Sequence, residues 1–246
     1  DLLSINNPEV NLYLLKNQFI FAKQTKSMAS FTVENYLKAL YSLSRNSTAG
    51  VSTNALADHL GTKAATVTDM LKKLNTSKLV NYKKYQATTL TIEGKKIALN
   101  IIRKHRLWEV FLVDKLDFKW DEVHDMAEEL EHIESNELID RLEHFLDNPK
   151  FDPHGDPIPS KEGIVERRDQ ILLTELKAGQ QGYVTGVKDS SKEFLQHLDT
   201  QNIELGNQIE VKEIFEYDKS RVLSVEGVDT TFSQQVCKNL FINISE

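Results

Sequence analysis

At 246 residues the chain has room for one large or two to three small domains and for a substantial core, which excludes a disulfide-stapled miniature. With 40% hydrophobic and 27% charged residues, 10 Gly and 5 Pro, collagen-like and disordered readings fail; the single cysteine, Cys237, can form neither an internal disulfide nor a Cys-based zinc cluster. No apolar run approaches the roughly 18–20 residues that span a bilayer and no secretory leader is evident, so the expected setting is the cytoplasm with no membrane partner.

Residues 1–27 match nothing that follows and are read as an extension, with Met28 as the expected start of the functional unit. From Phe31, apolar residues at Tyr36, Leu37, Leu40, Tyr41 and Leu43 keep a helical period, with Thr32 as the expected N-cap. Ser52 is placed as the cap of a second helix carrying Leu56, Ala57 and Leu60; Gly61 stops it, and a third helix is expected over Lys63–Leu74. Two helices joined by a tight glycine turn form a helix-turn-helix pattern. The Tyr-, Thr- and Val-rich stretch Leu79–Ile92 fits a small hairpin, so the whole reads as a winged helix-turn-helix. A long amphipathic helix is expected over Glu93–Leu116, with further helices at Trp120–Glu134 and Ser135–Leu146. The segment Asp147–Ser160 (DNPKFDPHGDPIPS) holds four of the five prolines and reads as a linker. Beyond Ile171, β-type runs at Gly182–Val187, Gln208–Phe215 and Arg221–Val225, with one helix at Lys192–Gln201, suggest a small, partly open β-barrel. The fold class expected is therefore mainly α with a small β domain.

The formal charge of −7 hides two opposite segments. Residues 52–96 carry eight lysines against three acids, net +5, while residues 117–147 carry twelve acids against two cations, net −10. The first suits a polyanion and the second cations. In a helix-turn-helix the N-terminal part of the second helix reaches base edges, which singles out Lys63, Ala65, Thr66, Thr68 and Asp69, while Lys72, Lys73, Lys83 and Lys84 are placed to neutralise phosphates of double-stranded DNA. In the acidic segment, a helical wheel puts His124, Glu128, Glu131 and His132 inside one 100° arc, and the preceding helix supplies His105 and Glu109, four apart. This is a nitrogen and oxygen donor set without sulfur, suited to a divalent first-row ion such as Mn2+ or Fe2+. His59, His144, His154 and His197 read as ordinary surface or core histidines. A metal-dependent enzyme is the competing reading, but the second Glu-x-x-His element of a di-metal bundle is missing, and no G-x-S-x-G elbow, Walker A loop, dinucleotide turn or His-Glu-x-x-His motif is present.

The motifs FTVENYLKALYSL, LADHLGTKAATVTDMLKKL, LTIEGKKIA, RKHRLWEVFL, VHDMAEELEHIES and DPHGDPIP, in this order and spacing, make the chain from Met28 onward resemble the diphtheria-toxin-repressor family of metal-dependent transcriptional regulators. The resemblance implies a winged-helix DNA-binding domain at 28–97, a helical metal-binding and dimerisation domain at 98–163 and an SH3-like domain at 164–246. It implies one metal site at His105, Glu109 and His124. A second is implied at Glu128, Glu131 and His132, completed from the first helix at Asn35, so that two ions per chain are expected. Glu128 stands where manganese-type members carry Glu and iron-type members Cys, which favours Mn2+. Lys38 stands where manganese-type members have a second carboxylate, and Glu193 and the Asp189/Ser190 pair fall where some relatives lend further ligands. The implied function is a homodimeric, metal-activated repressor of metal-uptake genes that binds operator DNA when metal fixes the winged helices on the dimer core.

Overall fold

The structure, a computed structural model, describes residues 31–45, 49–166 and 168–244; the leader 1–27 lies outside the described residues. The chain forms two compact units, the first ending at Ile101 and the second beginning at Ile102. Among the described residues, no helix is long and apolar enough to cross a membrane.

In the first unit, helix α1 covers 31–44, so Thr32, expected as its cap, lies inside the helix. Helix α2 (Thr53–His59) starts where expected: Ser52 is extended and its side chain accepts the Ala55 N–H at 3.1 Å. It ends at Leu60, and Gly61 takes φ +58°, a left-handed turn that suits glycine. Helix α3 (Ala64–Thr76) runs two residues further than the sequence indicates. Strands β1 (Val80–Asn81) and β2 (Thr89–Leu90) pair antiparallel with Val80 opposite Leu90, and a bridge between Val51 and Thr88 joins them to the chain before α2. Leu37, Leu40, Leu56, Val67, Leu71 and Leu74 fill the core of this winged helix.

Helix α4 (Ile92–Leu116) leaves the hairpin and continues into the second unit. Helix α5 covers only Val123–Leu130, not 120–134; Trp120 precedes it, and Glu131 and His132 follow its last turn. Helix α6 (Asn136–Phe145) is capped by Ser135, whose hydroxyl accepts the Leu138 N–H. Leu107, Trp108, Ala127, Ile139, Leu142 and Ile158 pack the helical core.

The remaining β elements are β3 (Ile171–Leu172), β4 (Gln181–Val187), β5 (Gln208–Ile214), β6 (Arg221–Val225), β7 (Val228–Phe232) and β8 (Leu240–Ile244). They form one antiparallel sheet in the order β3-β8-β4-β5-β6-β7, with α7 (Lys192–Thr200) after β4 and the short α8 (Gln234–Cys237) before β8. Three of these strands, β3, β7 and β8, are not apparent in the sequence pattern. Register shifts between Val184 and Gly186 and between Val211 and Glu213 bend the sheet around a core that includes Leu195, Leu198, Ile209, Leu223 and Phe232. Buried Arg221 on β6 donates to the carbonyls of Thr174 and Leu176, satisfying backbone acceptors under the sheet.

Gly94 shows how closely the hairpin is set against α4. An added Cβ there would lie 1.9 Å from the Leu79 carbonyl oxygen, an acceptor already held by the Thr91 N–H. Alanine in place of glycine within a helix ordinarily gains about 1 kcal/mol; here the steric term dominates, and Gly94→Ala is expected to lower the unfolding free energy by about 2 kcal/mol. Urea denaturation of the intact chain measures this, and an unchanged or raised midpoint would show that the hairpin moves away at no cost.

Candidate metal centre and nucleic-acid interface

Helix α4 places His105 and Glu109 on one face, one turn apart, and both are buried. Glu109 Oε1 is the hub: it lies 3.1 Å from His105 Nε2, 3.7 Å from His124 Nδ1 and 3.7 Å from His154 Nδ1. Burial by itself would raise this carboxyl, but the hydrogen bond to His105 and the nearby His124 and His154 rings hold it well below the usual carboxylate range. The other nitrogen of His105, Nδ1, contacts Glu131 Oε2 at 2.6 Å, and His124 Nε2 stands 3.8 Å from Glu128 Oε1. His132 Nε2 is 3.9 Å from Glu131 Oε1, with its ring mostly buried. Lys104 fixes the turn that carries these two residues, its ammonium donating to the Ile133 carbonyl at 2.8 Å.

Among the described residues, the donor atoms converge in three groups, each within 4.8 Å: His105, Glu109 and His124; His105, Glu128 and Glu131; and Glu109, Asp152 and His154. Sequence spacing pairs His105 with Glu109 and aligns His124, Glu128, Glu131 and His132; the structure instead joins His105 to Glu128 and Glu131, leaves His132 outside all three groups, and forms a third group that spacing misses. His154, which reads from sequence as an ordinary histidine, is buried and faces Glu109. Burial disfavours its imidazolium, but the Glu109 carboxylate outweighs this and pushes the ring up to about 9. Asp152 is raised to about 7 by burial and by the Glu109 charge, against the opposing Arg106 guanidinium 3.2 Å away. A cation entering this group therefore competes with a proton on His154. The available signal is the run DPHGDP itself, where Asp152 Oδ1 accepts the N–H groups of His154 and Asp156 in a tight turn.

The donor set fits a divalent ion of the manganese or iron kind: imidazole nitrogen and carboxylate oxygen from several elements, with no thiolate, since Cys237 is buried in the barrel core. Asn35, on α1 in the first unit, has a buried side-chain oxygen with no hydrogen-bond partner. Lys38, on the same helix, is half-buried. Glu193 is exposed on the first turn of α7 and joins none of the three groups. Asp189 and Ser190, by contrast, line a cleft of about 730 Å3 together with His124 and Asp125.

In the first unit, Lys63 is exposed at the N-cap of α3, and Ala65, Thr66, Asp69, Lys72 and Lys73 are exposed on the helix, away from the side that buries Val67, Leu71 and Leu74. Thr68 is half-buried and donates its hydroxyl to the Ala64 carbonyl, so it offers a neighbour only an acceptor and a methyl group. Asp69 and Lys72 pair at 3.0 Å, leaving Lys73 on the helix and Lys63 at its N-cap to carry the positive field. Lys83 and Lys84 are exposed in the hairpin loop, where the Lys84 ammonium sits 4.7 Å from the ring centroid of Tyr85.

Three family models cover most of the chain: iron dependent repressor, N-terminal DNA binding domain, over residues 28–88; iron dependent repressor, metal binding and dimerisation domain, over 91–160; and FeoA domain over 171–244. The iron-dependent repressor IdeR of Mycobacterium tuberculosis is 32% identical over 158 residues, 60% of this chain and 67% of that protein. The chain belongs to the diphtheria-toxin-repressor family. An uncharacterized HTH-type transcriptional regulator of Methanocaldococcus jannaschii is 35% identical over 121 residues, 49% of this chain and 97% of its own length. Among solved structures, a manganese-dependent transcriptional repressor in complex with manganese superposes with a TM-score of 0.78 at 32% identity, covering 87% of this chain and all of that one. ScaR with bound Zn2+ gives 0.71 at 30%, covering 87% and 99%. The family consists of metal-dependent transcriptional regulators, and the enzyme reading has no support among these relatives.

Because Glu109 belongs to two of the three donor groups, Glu109→Gln, which keeps shape and removes charge, is expected to weaken Mn2+ binding at those groups by at least tenfold while the far-ultraviolet circular dichroism stays native. Titration followed by the electron paramagnetic resonance of free Mn2+ reads the affinity; wild-type affinity in this variant would place the ion elsewhere.

Proposed function

We propose that this chain is a cytoplasmic, homodimeric repressor of metal-uptake genes, activated by Mn2+ or Fe2+ and acting on double-stranded operator DNA. The observation that carries the reading is the sulfur-free cluster around Glu109 in a chain whose first unit presents an exposed, lysine-bearing helix of a helix-turn-helix. The domains are taken as 28–97, 98–163 and 164–246, a division supported by the order and extent of the three family models.

The ligands proposed are His105, Glu109 and His124 for one ion, and Glu128, Glu131 and His132 with the carbonyl of Asn35 for another. Glu193 is the outlying member of the set, and Asp152 and His154 are added to it at the Glu109 hub. Hard carboxylates and the absence of a thiolate favour Mn2+ over softer ions. A bound divalent ion supplies the positive charge that lets these carboxylates sit together. The residues do the rest: Glu109 and His105 hold their donors on the rigid α4, Lys104 holds the Glu131–His132 turn, and Arg106 orients the Asp152 carboxylate. DNA half-sites demand a fixed spacing, so a dimer held in one arrangement binds its operator more tightly through a shift in populations.

The reading is tested by fluorescence anisotropy with a library of genomic promoter fragments, in chelator and then with Mn2+, Fe2+ or Zn2+. Binding that tightens with Mn2+ or Fe2+ is expected, and metal-independent binding would refute activation. His132→Ala is expected to reduce the metal-dependent gain with the fold intact; an unchanged metal response would remove His132 from the ligand set. On the DNA side, Lys83→Ala or Lys84→Ala should weaken all sequences alike and lower the slope of log affinity against log salt by roughly one. Thr66→Ala should instead change base preference, and equal losses on cognate and scrambled DNA would contradict a reading role.

A further inference from the structure

The loop that carries Asp152 and His154 is built into the barrel as much as into the helices. The His154 carbonyl accepts the Val187 N–H of β4 at 2.9 Å, and at Gly155 (φ +86°) an added Cβ would lie 2.1 Å from the Thr185 carbonyl oxygen. The second tie is Trp120, in the connection between α4 and α5. Its carbonyl oxygen is 2.9 Å from His154 Nε2, its indole stacks on the His154 ring with centroids 6.2 Å apart and planes 11° apart, and its Nε1–H donates to Asp199 Oδ1 on α7 at 2.8 Å. The indole also packs against the barrel core, and one step along the chain Asp121 accepts from Gln196 of the same α7.

A carbonyl oxygen can only accept, so Nε2 of His154 must carry the hydrogen in this contact, and in the neutral ring the lone pair is then on Nδ1, the atom that faces Glu109. Trp120 thus fixes three properties of one donor: its tautomer through the carbonyl, the tilt of its ring through stacking, and its attachment to the barrel through Asp199. Asp199 is on the surface-facing part of α7 and contributes to no donor group, so its bond to the indole acts on the site only through Trp120.

We propose that Trp120 is a positioning residue for the Glu109–Asp152–His154 group, through which docking of the barrel helix α7 and metal binding at His154 are coupled in both directions. The proposal rests on the reading of that group as a metal site. By linkage, whatever the docked barrel contributes to metal affinity, metal returns to barrel docking.

The test uses the full chain with Mn2+ as the probe. Trp120→Phe keeps an aromatic ring and the carbonyl but loses the bond to Asp199; Asp199→Ala removes the acceptor; Asp199→Asn retains an acceptor oxygen. Expected are an about tenfold loss of affinity for one Mn2+ per chain in Trp120→Phe and Asp199→Ala, and near wild-type affinity in Asp199→Asn. Hydrogen exchange, read by mass spectrometry over peptides containing Val187, should slow on adding Mn2+ in the wild type and Asp199→Asn but much less in the other two. Wild-type affinity in both Trp120→Phe and Asp199→Ala, or exchange near Val187 that ignores Mn2+, would overturn the proposal. Asp152→Ala and His154→Ala separate the two levels: lost Mn2+ stoichiometry in these with intact binding in the Trp120 and Asp199 variants rejects only the positioning role. Unchanged stoichiometry in Asp152→Ala and His154→Ala rejects the site as well.

Discussion

The second unit is organised around one buried negative charge. A carboxylate taken out of water without partners costs several kcal/mol, and the Glu109 side chain is almost wholly buried. Three imidazoles close on its Oε1, one from its own helix, one from α5 and one from the proline-rich loop. Each has to be held in turn: His105 by Glu131, His124 beside Glu128, and His154 by the backbone of Trp120. The neighbouring Arg106 extends the same logic, reaching Asp152, Asp156 and the Pro157 carbonyl, so that α4 presents a negative and a positive anchor side by side to one loop. The path of the loop and the packing of α5 on α4 follow from satisfying that charge.

The helices are legible because their apolar period is long: α4 starts one residue from where the pattern places it and Ser52 caps α2 as expected, while Ser135, read as the first residue of its helix, is the cap of α6. The end of α5 is not, since VHDMAEELEHIES keeps a helical period past Leu130 while the backbone turns after it and Lys104 captures the Ile133 carbonyl. Strand β3 is two residues long, too short for any alternation to register. Strand β7 has a usable signal in Glu226–Gly227, both at positive φ, which make a tight hairpin turn after β6. At the site, His105 with Glu109 and His124 with Glu128 are visible because each pair is four apart on one helix. His154 is invisible to that test because its partner Glu109 lies on another element, and only the fold brings them together.

The inner donor group also imposes an order on the life of the chain. Winged-helix contacts close over short stretches: the wing pairs Asn81 with Thr89, eight residues apart, and ties Tyr82 back to Asn75, seven apart. The Trp120 indole finds Asp199 only after 79 residues, and Arg106 reaches the Pro157 carbonyl across 51. Loop-closure entropy grows with separation, and non-local pairings form late. On the ribosome, the chain emerges N-terminus first and domains fold largely as they appear. The helix-turn-helix is thus complete while Glu109 still lacks His154, and it is synthesis of the barrel that fixes the loop carrying His154.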